Sequence, residues 1–114
     1  MRILHTEASL GWGGQEIRIL REMIGMRERG HHLSLAAAPG ALLLDRAQQE
    51  GFTCYEVPFR WGQFHQAFAA LRRIIKAEQI DLLNTHSSLD AWIAGLIGRI
   101  HGLKLIRTRH ISAP

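Results

Sequence analysis

Three short segments of the sequence combine residue types and spacings that could do chemistry, and the first is rich in glycine. The run Gly11-Trp12-Gly13-Gly14-Gln15-Glu16 stands where a strand gives way to a helix. Exposed N–H groups and the helix dipole at such a junction favour an anion such as phosphate, and glycine lets a ligand approach the main chain. We therefore expect Gly13, Gly14 and Glu16 to contact a substrate. A tight structural turn is the alternative, and it suits Gly11 better than the adjacent glycine pair.

The second segment, Thr85-His86-Ser87-Ser88-Leu89-Asp90, begins at the end of the fourth predicted strand. A histidine at that position can donate a hydrogen bond to a ligand hydroxyl or phosphate, or exchange a proton near neutral pH. Ser88 or Asp90 would cap the helix that follows. We expect both uses together, with His86 as the catalytic candidate and with Ser87 and Asp90 beside the ligand.

The third segment, Arg107-Thr108-Arg109-His110, ends the fifth predicted strand. Strand alternation sends the two arginines to one face of the sheet and the other two residues to the opposite face. Arginines at a strand end suit phosphate, because the guanidinium forms forked hydrogen bonds. Arg107, Arg109 and His110 are therefore candidate substrate ligands. A solvated or interdomain salt bridge explains the arginines equally well.

Other chemistries lack their motifs in this sequence. The dinucleotide-binding fingerprint needs a third glycine where this chain has Glu16, and no acidic residue ends the second strand at Ala36-Ala37-Ala38-Pro39. A phosphate-loop ATPase would need Gly-Lys-Ser or Gly-Lys-Thr, and a serine hydrolase would need a Gly-x-Ser-x-Gly elbow. None of the histidines has the helical pair spacing of a zinc site. We therefore expect no cofactor and no metal.

The elements that must position these segments alternate between strands and helices. Apolar residues at helical spacing, such as Ile17, Leu20 and Ile24, mark the first helix, and Gly30 would end it in the left-handed cap conformation. This alternation predicts an α/β fold, a Rossmann-like doubly wound parallel sheet of about five strands. Ligands of such sheets bind at the carboxyl ends of the strands, where all three segments are found. The predicted strands are residues 2–8, 32–38, 52–59, 80–85 and 104–108.

Composition indicates one ordinary globular domain. The 114 residues are 46% apolar and 21% charged, and the formal net charge is +4. This charge favours an anionic partner such as a nucleotide or a membrane surface, whereas nucleic acid has the least support because no nucleic-acid-binding motif is present. A lone Cys54, polar residues at the start and the lack of a long apolar segment predict a cytoplasmic protein without a transmembrane helix.

The three segments, taken in order, resemble the amino-terminal domain of GT-B fold glycosyltransferases of family 4. This retaining group includes many bacterial lipopolysaccharide and mannosyl transferases, and the resemblance covers essentially the whole chain. The motifs that carry it are Ile3-Leu4-His5 leading to Gly13-Gly14-Gln15-Glu16, then Arg29-Gly30-His31, then Ile80-Asp81 to Thr85-His86-Ser87, and finally Arg107-Thr108-Arg109-His110.

The resemblance implies a two-domain hexosyltransferase that moves a sugar from a nucleotide-diphosphate sugar to a glycan or lipid-linked glycan. It implies that Gly13 and Gly14 approach the donor diphosphate or the acceptor, and that His86 contacts the transferred sugar. The family's paired-glutamate motif and its basic phosphate-binding residues belong to the carboxy-terminal domain. Residues 1–114 do not include that domain. We therefore expect residues 1–114 to be a truncated acceptor-side domain that is inactive alone and forms homo-oligomers through uncovered apolar faces.

Two alternatives stay open at this point. Cationic helix residues could hold the domain on anionic lipid at the inner face of the membrane, or they could form an ordinary solvated face; they are Arg18, Arg21, Arg72, Arg73 and Lys76. In place of an enzyme, the chain could be a non-catalytic nucleotide- or phosphate-binding module that regulates or scaffolds a partner.

Overall fold

Strands and helices alternate in the computed structural model, which describes residues 1–60, 62–86 and 88–107. The predicted doubly wound α/β class is confirmed. The strands are β1 (Arg2–Glu7), β2 (His32–Ala37), β3 (Thr53–Glu56), β4 (Leu82–Thr85) and β5 (Lys104–Arg107). The helices are α1 (Gly14–Glu28), α2 (Leu42–Gln49), α3 (Phe64–Glu78) and α4 (Ser88–His101).

All strand pairs in this sheet are parallel, and the strand order is β3-β2-β1-β4-β5. The chain moves outward from β1 through β2 to β3, and then crosses to the other side of β1 for β4 and β5. The direction of winding therefore reverses between β1 and β4. A crevice opens at the carboxyl ends of strands where such a reversal occurs, and it is the usual ligand site of this architecture.

The two faces of the sheet bury separate apolar layers. Alternate residues of β1 point in opposite directions, so that Ile3 packs with α1 and α2 while Leu4 packs with α3 and α4. Ile19, Met23 and Leu43 are fully buried in the first layer; Leu71, Ile93 and Ile97 are fully buried in the second. Both faces are covered at β1, as parallel sheets require.

Element boundaries differ from the prediction by a few residues. β3 stops at Glu56; the amide of Val57 still donates to the carbonyl of Ala37, but Pro58 has no N–H to continue the ladder. Helix α4 begins at Ser88, which places Asp90 inside its first turn. The predicted role of Gly30 is confirmed, because its φ of 91° lies in the left-handed region directly after α1.

Apolar side chains remain exposed at the β5 edge of the sheet and on the outer face of α4. Trp92 is 72% exposed and Ile100 is 59% exposed, and both belong to α4. Leu105 and Ile106 are also exposed on β5. A group of exposed apolar side chains is typical of a contact surface. Formation of homo-oligomers through it stays a prediction.

A charged network ties the amino ends of β1 and β2, together with Tyr55 of β3, to the end of α3. The Glu78 carboxylate accepts hydrogen bonds from the Tyr55 hydroxyl and, at 2.9 Å, from the Arg2 guanidinium, and His32 Nε2 lies 3.5 Å from it. The Tyr55 bond is the main cause of the lowered pKa of Glu78, to which His32 and Arg2 also contribute, and it raises the pKa of Tyr55 to about 12.

We predict that Glu78→Gln destabilises the fold by about 1 kcal/mol at neutral pH. Because the pKa of Glu78 is lowered in the folded chain, its contribution is present above the ordinary value of 4.5 and is lost as the pH falls through the folded pKa. Urea unfolding between pH 7 and pH 3 measures this, and the variant should show the weaker pH dependence. The control is Glu50→Gln, which removes an exposed pair with Arg27 at 3.9 Å. Equal losses in both variants would contradict the prediction.

Candidate functional site

The central strand ends in polar residues at the point where the winding reverses between β1 and β4, which is the expected crevice. His5, Thr6 and Glu7 are each at most 1% exposed, although β1 has a strand on both sides and helices on both faces. Buried polar groups are costly unless they are hydrogen-bonded. The three side chains divide between the two faces: His5 and Glu7 are on the α1 side with Ile3, and Thr6 is on the α4 side with Leu4.

Two carboxylates fix the glycine-rich loop from within. Glu7 Oε1 accepts a hydrogen bond from the Ser9 amide at 3.0 Å, and Glu16 Oε2 accepts one from the Gly13 amide at 3.0 Å. The Ser9 hydroxyl donates to the other oxygen of Glu16 at 2.9 Å and accepts from the Gly11 amide at 3.3 Å. Loop amides that could hold an anion are thus bonded internally at positions 9, 11 and 13. The loop conformation is therefore set without a ligand.

Glu16 lies in the first turn of α1 and is 5% exposed. A carboxylate in the first turn compensates the helix dipole, and its bond to the amide of Gly13 is one half of a capping box. The structure therefore gives Glu16 an internal role in holding the loop. Its predicted contact with a substrate stays a prediction.

The two adjacent glycines leave open space at the start of α1. Gly13 has an extended conformation with φ −144°, and neither Gly13 nor Gly14 has a positive φ. A Cβ added to Gly14 would meet no atom within 4 Å, and one added to Gly13 would meet only Glu16 Oε2 at 3.6 Å. Neither backbone conformation nor internal packing therefore demands glycine at position 14. Access for a ligand is an explanation that this geometry allows.

His86 follows β4 and is held by contacts from three elements. Its Nε2 lies 2.8 Å from Nδ1 of His5. Its amide donates to Oδ2 of Asp90 at 3.2 Å, and its carbonyl accepts from the side-chain amide of Gln15 at 3.4 Å. Gln15 also donates to Glu7, so that it links the glycine-rich loop to the β4–α4 turn. The first two predicted segments therefore meet at the carboxyl ends of β1 and β4.

Asp90 lies fully buried beneath the crevice. Its Oδ2 accepts hydrogen bonds from the Thr6 hydroxyl of β1 and from the His86 amide. This carboxylate joins the end of the central strand to the turn that carries His86. Its predicted contact with a substrate stays a prediction, as does the helix-capping role expected for it or for Ser88.

Several predicted site residues lie partly or wholly outside the described residues. Ser87, Arg109 and His110 lie outside the described residues, and for Arg107 only the backbone is described, with Thr85 as its register partner at the end of β4. Within residues 1–60, 62–86 and 88–107, no three histidine, cysteine, aspartate or glutamate side chains converge as metal ligands would. No helix in these ranges is long and apolar enough to cross a membrane.

His5, Glu7 and Gln15 were not predicted as site residues. A detectable signal was present for the first two, because the central strand of a doubly wound sheet is normally a continuous apolar run. In this chain Ile3 and Leu4 give way to three polar residues just before the glycine-rich loop. Gln15 had no such signal, since its importance comes from a contact with His86, which is 71 positions away in sequence.

Comparison with known proteins agrees with the fold. The sequence matches the family described as Glycosyltransferase Family 4 over residues 12–114. The chain therefore belongs to glycosyltransferase family 4, and the resemblance to the amino-terminal domain of its GT-B members is confirmed. No curated protein matches the sequence.

Solved structures similar to this chain include MurG from Acinetobacter baumannii, with TM-score 0.80, 16% identity and coverage of 95% of this chain and 34% of that one. A glycosyltransferase from Rickettsia africae has TM-score 0.81 and 20% identity, with coverage of 99% and 31%. HepE from Anabaena, in complex with UDP-glucose, has TM-score 0.76 and 16% identity, with coverage of 94% and 28%. At these identities the likeness is one of fold. The chain spans about a third of the length of each of these structures.

We predict that Asp90→Ala lowers the free energy of unfolding by about 3 kcal/mol, because it leaves the buried Thr6 hydroxyl and His86 amide without this acceptor. Asp45→Ala is the matched control, since Asp45 also lies in the first turn of a helix but is exposed. Its loss should be about 0.5 kcal/mol, the dipole contribution alone. Urea denaturation measures both values. A similar small loss in the two variants would show that the hydrogen bonds of Asp90 to Thr6 and His86 do not stabilise the fold.

Proposed function

We propose that residues 1–114 form the truncated acceptor-side domain of a GT-B hexosyltransferase. The complete enzyme would move a sugar from a nucleotide-diphosphate sugar to a glycan or lipid-linked glycan of the lipopolysaccharide or cell-envelope type. Family membership supports the reaction class. Similar structures support the kind of donor, because HepE contains UDP-glucose and the rhamnosyltransferase SpnG contains thymidine diphosphate.

The observation that carries this proposal is the open space over Gly14, which the next residue, Gln15, links to a histidine that is held in place. Gln15 follows Gly14 directly and bonds to the carbonyl of His86, so the two ligand candidates are joined by one side chain. In the transfer reaction the bond from the sugar to the diphosphate breaks, a bond to the acceptor oxygen forms, and that oxygen loses its proton. A histidine at the crevice can donate a hydrogen bond to a sugar hydroxyl as charge develops.

The internal bonding of the loop favours a sugar or acceptor hydroxyl over the donor diphosphate as its ligand. The amides of Ser9 and Gly13 already donate to Glu7 and Glu16, and both acceptors are carboxylates that would repel a diphosphate. We therefore assign most of the diphosphate binding to the carboxy-terminal domain that the resemblance implies. Arg107, Arg109 and His110 would contribute the remaining cationic contacts from the third segment.

The basic residues of α1 and α3 divide between the two faces of the sheet. Arg18 and Arg21 belong to the α1 face, whereas Arg72, Arg73 and Lys76 line a shallow concavity of about 470 Å³ on α3. One flat membrane would meet the α3 set together, so we assign peripheral contact at the cytoplasmic face to α3. Each of its cations near anionic lipid would contribute about 1 kcal/mol.

The rival function is a non-catalytic nucleotide- or phosphate-binding module. The chain should be assayed with a panel of labelled nucleotide sugars and glycan or lipid acceptors, with and without a candidate carboxy-terminal domain. The proposal expects turnover only when both domains are present. Tight nucleotide binding by the chain alone, with no turnover in either mixture, favours the rival. Turnover by the chain alone would contradict the proposed two-domain enzyme.

We predict that Gly14→Val reduces transfer by the complete enzyme about a hundredfold, because its side chain would occupy space needed for a productively placed substrate. Folding stability should change by no more than about 0.5 kcal/mol, since no atom beyond the chain neighbours and the helix's own backbone lies within 4 Å of the added Cβ. Gly25→Val, three residues before the end of the same helix, is the control and should leave transfer unchanged. Normal kinetics in Gly14→Val would show that the loop is a structural turn only.

We predict that His86→Ala lowers kcat about a hundredfold and changes the acceptor KM much less, because the contact is made best in the transition state. Steady-state kinetics with varied acceptor separate the two parameters. His65→Ala, at an exposed position of α3, is the control. A raised KM with normal kcat would indicate uniform binding instead, and an unaffected enzyme would remove His86 from the site.

A further inference from the structure

We propose that His5 is a positioning residue, which sets the ring orientation and the proton position of His86. The functional consequence of this pairing rests on the proposed role of His86 at the substrate. The pairing itself is a property of the fold and can be tested without substrate.

The geometry of the pair is that of a well-aligned hydrogen bond. His5 Nδ1 and His86 Nε2 are 2.8 Å apart, and the ring planes differ by 9°. The ring centroids are 5.1 Å apart, which is close to the nitrogen separation plus one ring radius on each side. The two rings therefore lie edge to edge in nearly one plane, with the N–H of one directed at the lone pair of the other.

His5 is unsuited to touch a ligand itself. It is 1% exposed on the central strand, with Leu35 and Asn84 as its register partners on the two neighbouring strands. His86 stands one residue past β4, where Asp90 and Gln15 hold its backbone N–H and carbonyl. Those two contacts leave the side-chain torsions of His86 unset. The bond from His5 sets them, since it holds one nitrogen of the ring at a defined point.

The same bond gives His86 a defined proton arrangement. Burial lowers the pKa of His5 to about 4, so His5 is a neutral imidazole at neutral pH, with one N–H and one lone pair. If His5 donates, neutral His86 keeps its proton on Nδ1; if His86 donates from Nε2, His5 accepts. Which nitrogen of a histidine is protonated is determined by the hydrogen bond that the other nitrogen makes. In either direction the two nitrogens of His86 are inequivalent, one with the proton and the other with the lone pair.

The direct test is nitrogen NMR of the histidine rings in the isotope-labelled chain at mildly alkaline pH, without ligand. In the unmodified chain the two ring nitrogens of His86 should give well-separated shifts, as expected for a single tautomer. His5→Gln removes the polar atom at the Nδ1 position and should make the two shifts converge, whereas His5→Asn places an amide near that position and should keep them apart. Leu35→Val, at the register partner of His5, controls for general loosening of the sheet and should keep the shifts apart.

Converged shifts in the unmodified chain, or unchanged shifts in a folded His5→Gln variant, would overturn the inference. Comparing two polar replacements keeps the test valid even where an apolar residue at position 5 would prevent folding.

The functional arm uses the complete enzyme. His5→Gln should lower kcat by about tenfold to a hundredfold with little change in the acceptor KM, as is typical when the partner that orients a functional histidine is removed, and His5→Asn should largely restore kcat. If the NMR shifts respond as expected but neither His5→Gln nor His86→Ala affects transfer, the pairing stands and the proposed function of the crevice fails. If His86→Ala is defective while His5→Gln is fully active, the positioning role is overturned.

Discussion

The cost of burying polar side chains at the carboxyl end of the central strand controls the arrangement of the crevice. β1 has neighbours on both sides and helices on both faces, yet it ends in His5, Thr6 and Glu7, all buried. Each of these side chains must find partners away from water. Those partners come from the loop after β1, from the turn after β4 and from α4, so satisfying the strand also assembles the crevice.

The polar side chains of β1 find their hydrogen-bond partners on two different faces of the strand. On the α4 side, Thr6 donates to Asp90, whose carboxylate also accepts the amide of His86. On the α1 side, Glu7 accepts from Ser9 and Gln15, and His5 pairs with the ring of His86. His86 is thus held from both faces of the same strand. Rigid placement of this kind is what catalysis by positioning requires, because small displacements of a catalytic group are costly.

Much of the fold could be predicted from the sequence, since it depends on local signals. Periodic apolar residues marked the helices, Gly30 marked the end of α1, and the order of strands and helices identified the doubly wound class. The site was predicted by position only. Ligands of doubly wound sheets bind at the carboxyl ends of the strands. This rule identifies Gly14 and His86 as candidates but does not predict their contacts.

The internal contacts of the site could not be predicted in this way. His5 and His86 are 81 positions apart in sequence, and their pairing depends on the parallel register of β1 with β4. Glu16 was expected to face a substrate, but the same position in the first turn also lets it cap the loop, and sequence alone does not distinguish the two uses. Exposed amides were expected in the glycine-rich loop, whereas Glu7 and Glu16 accept from two of them.

The central claim is that the crevice between β1 and β4 receives the sugar being transferred. A crystal structure of the complete enzyme with a nucleotide sugar and an acceptor analogue tests it most directly, through the distance from the ring of His86 to the nearest oxygen of the transferred sugar. A hydrogen-bond distance of about 3 Å is expected, with ligand atoms in van der Waals contact with the Cα of Gly14. A sugar bound elsewhere, with His86 still paired to His5 but remote from every ligand atom, would contradict it.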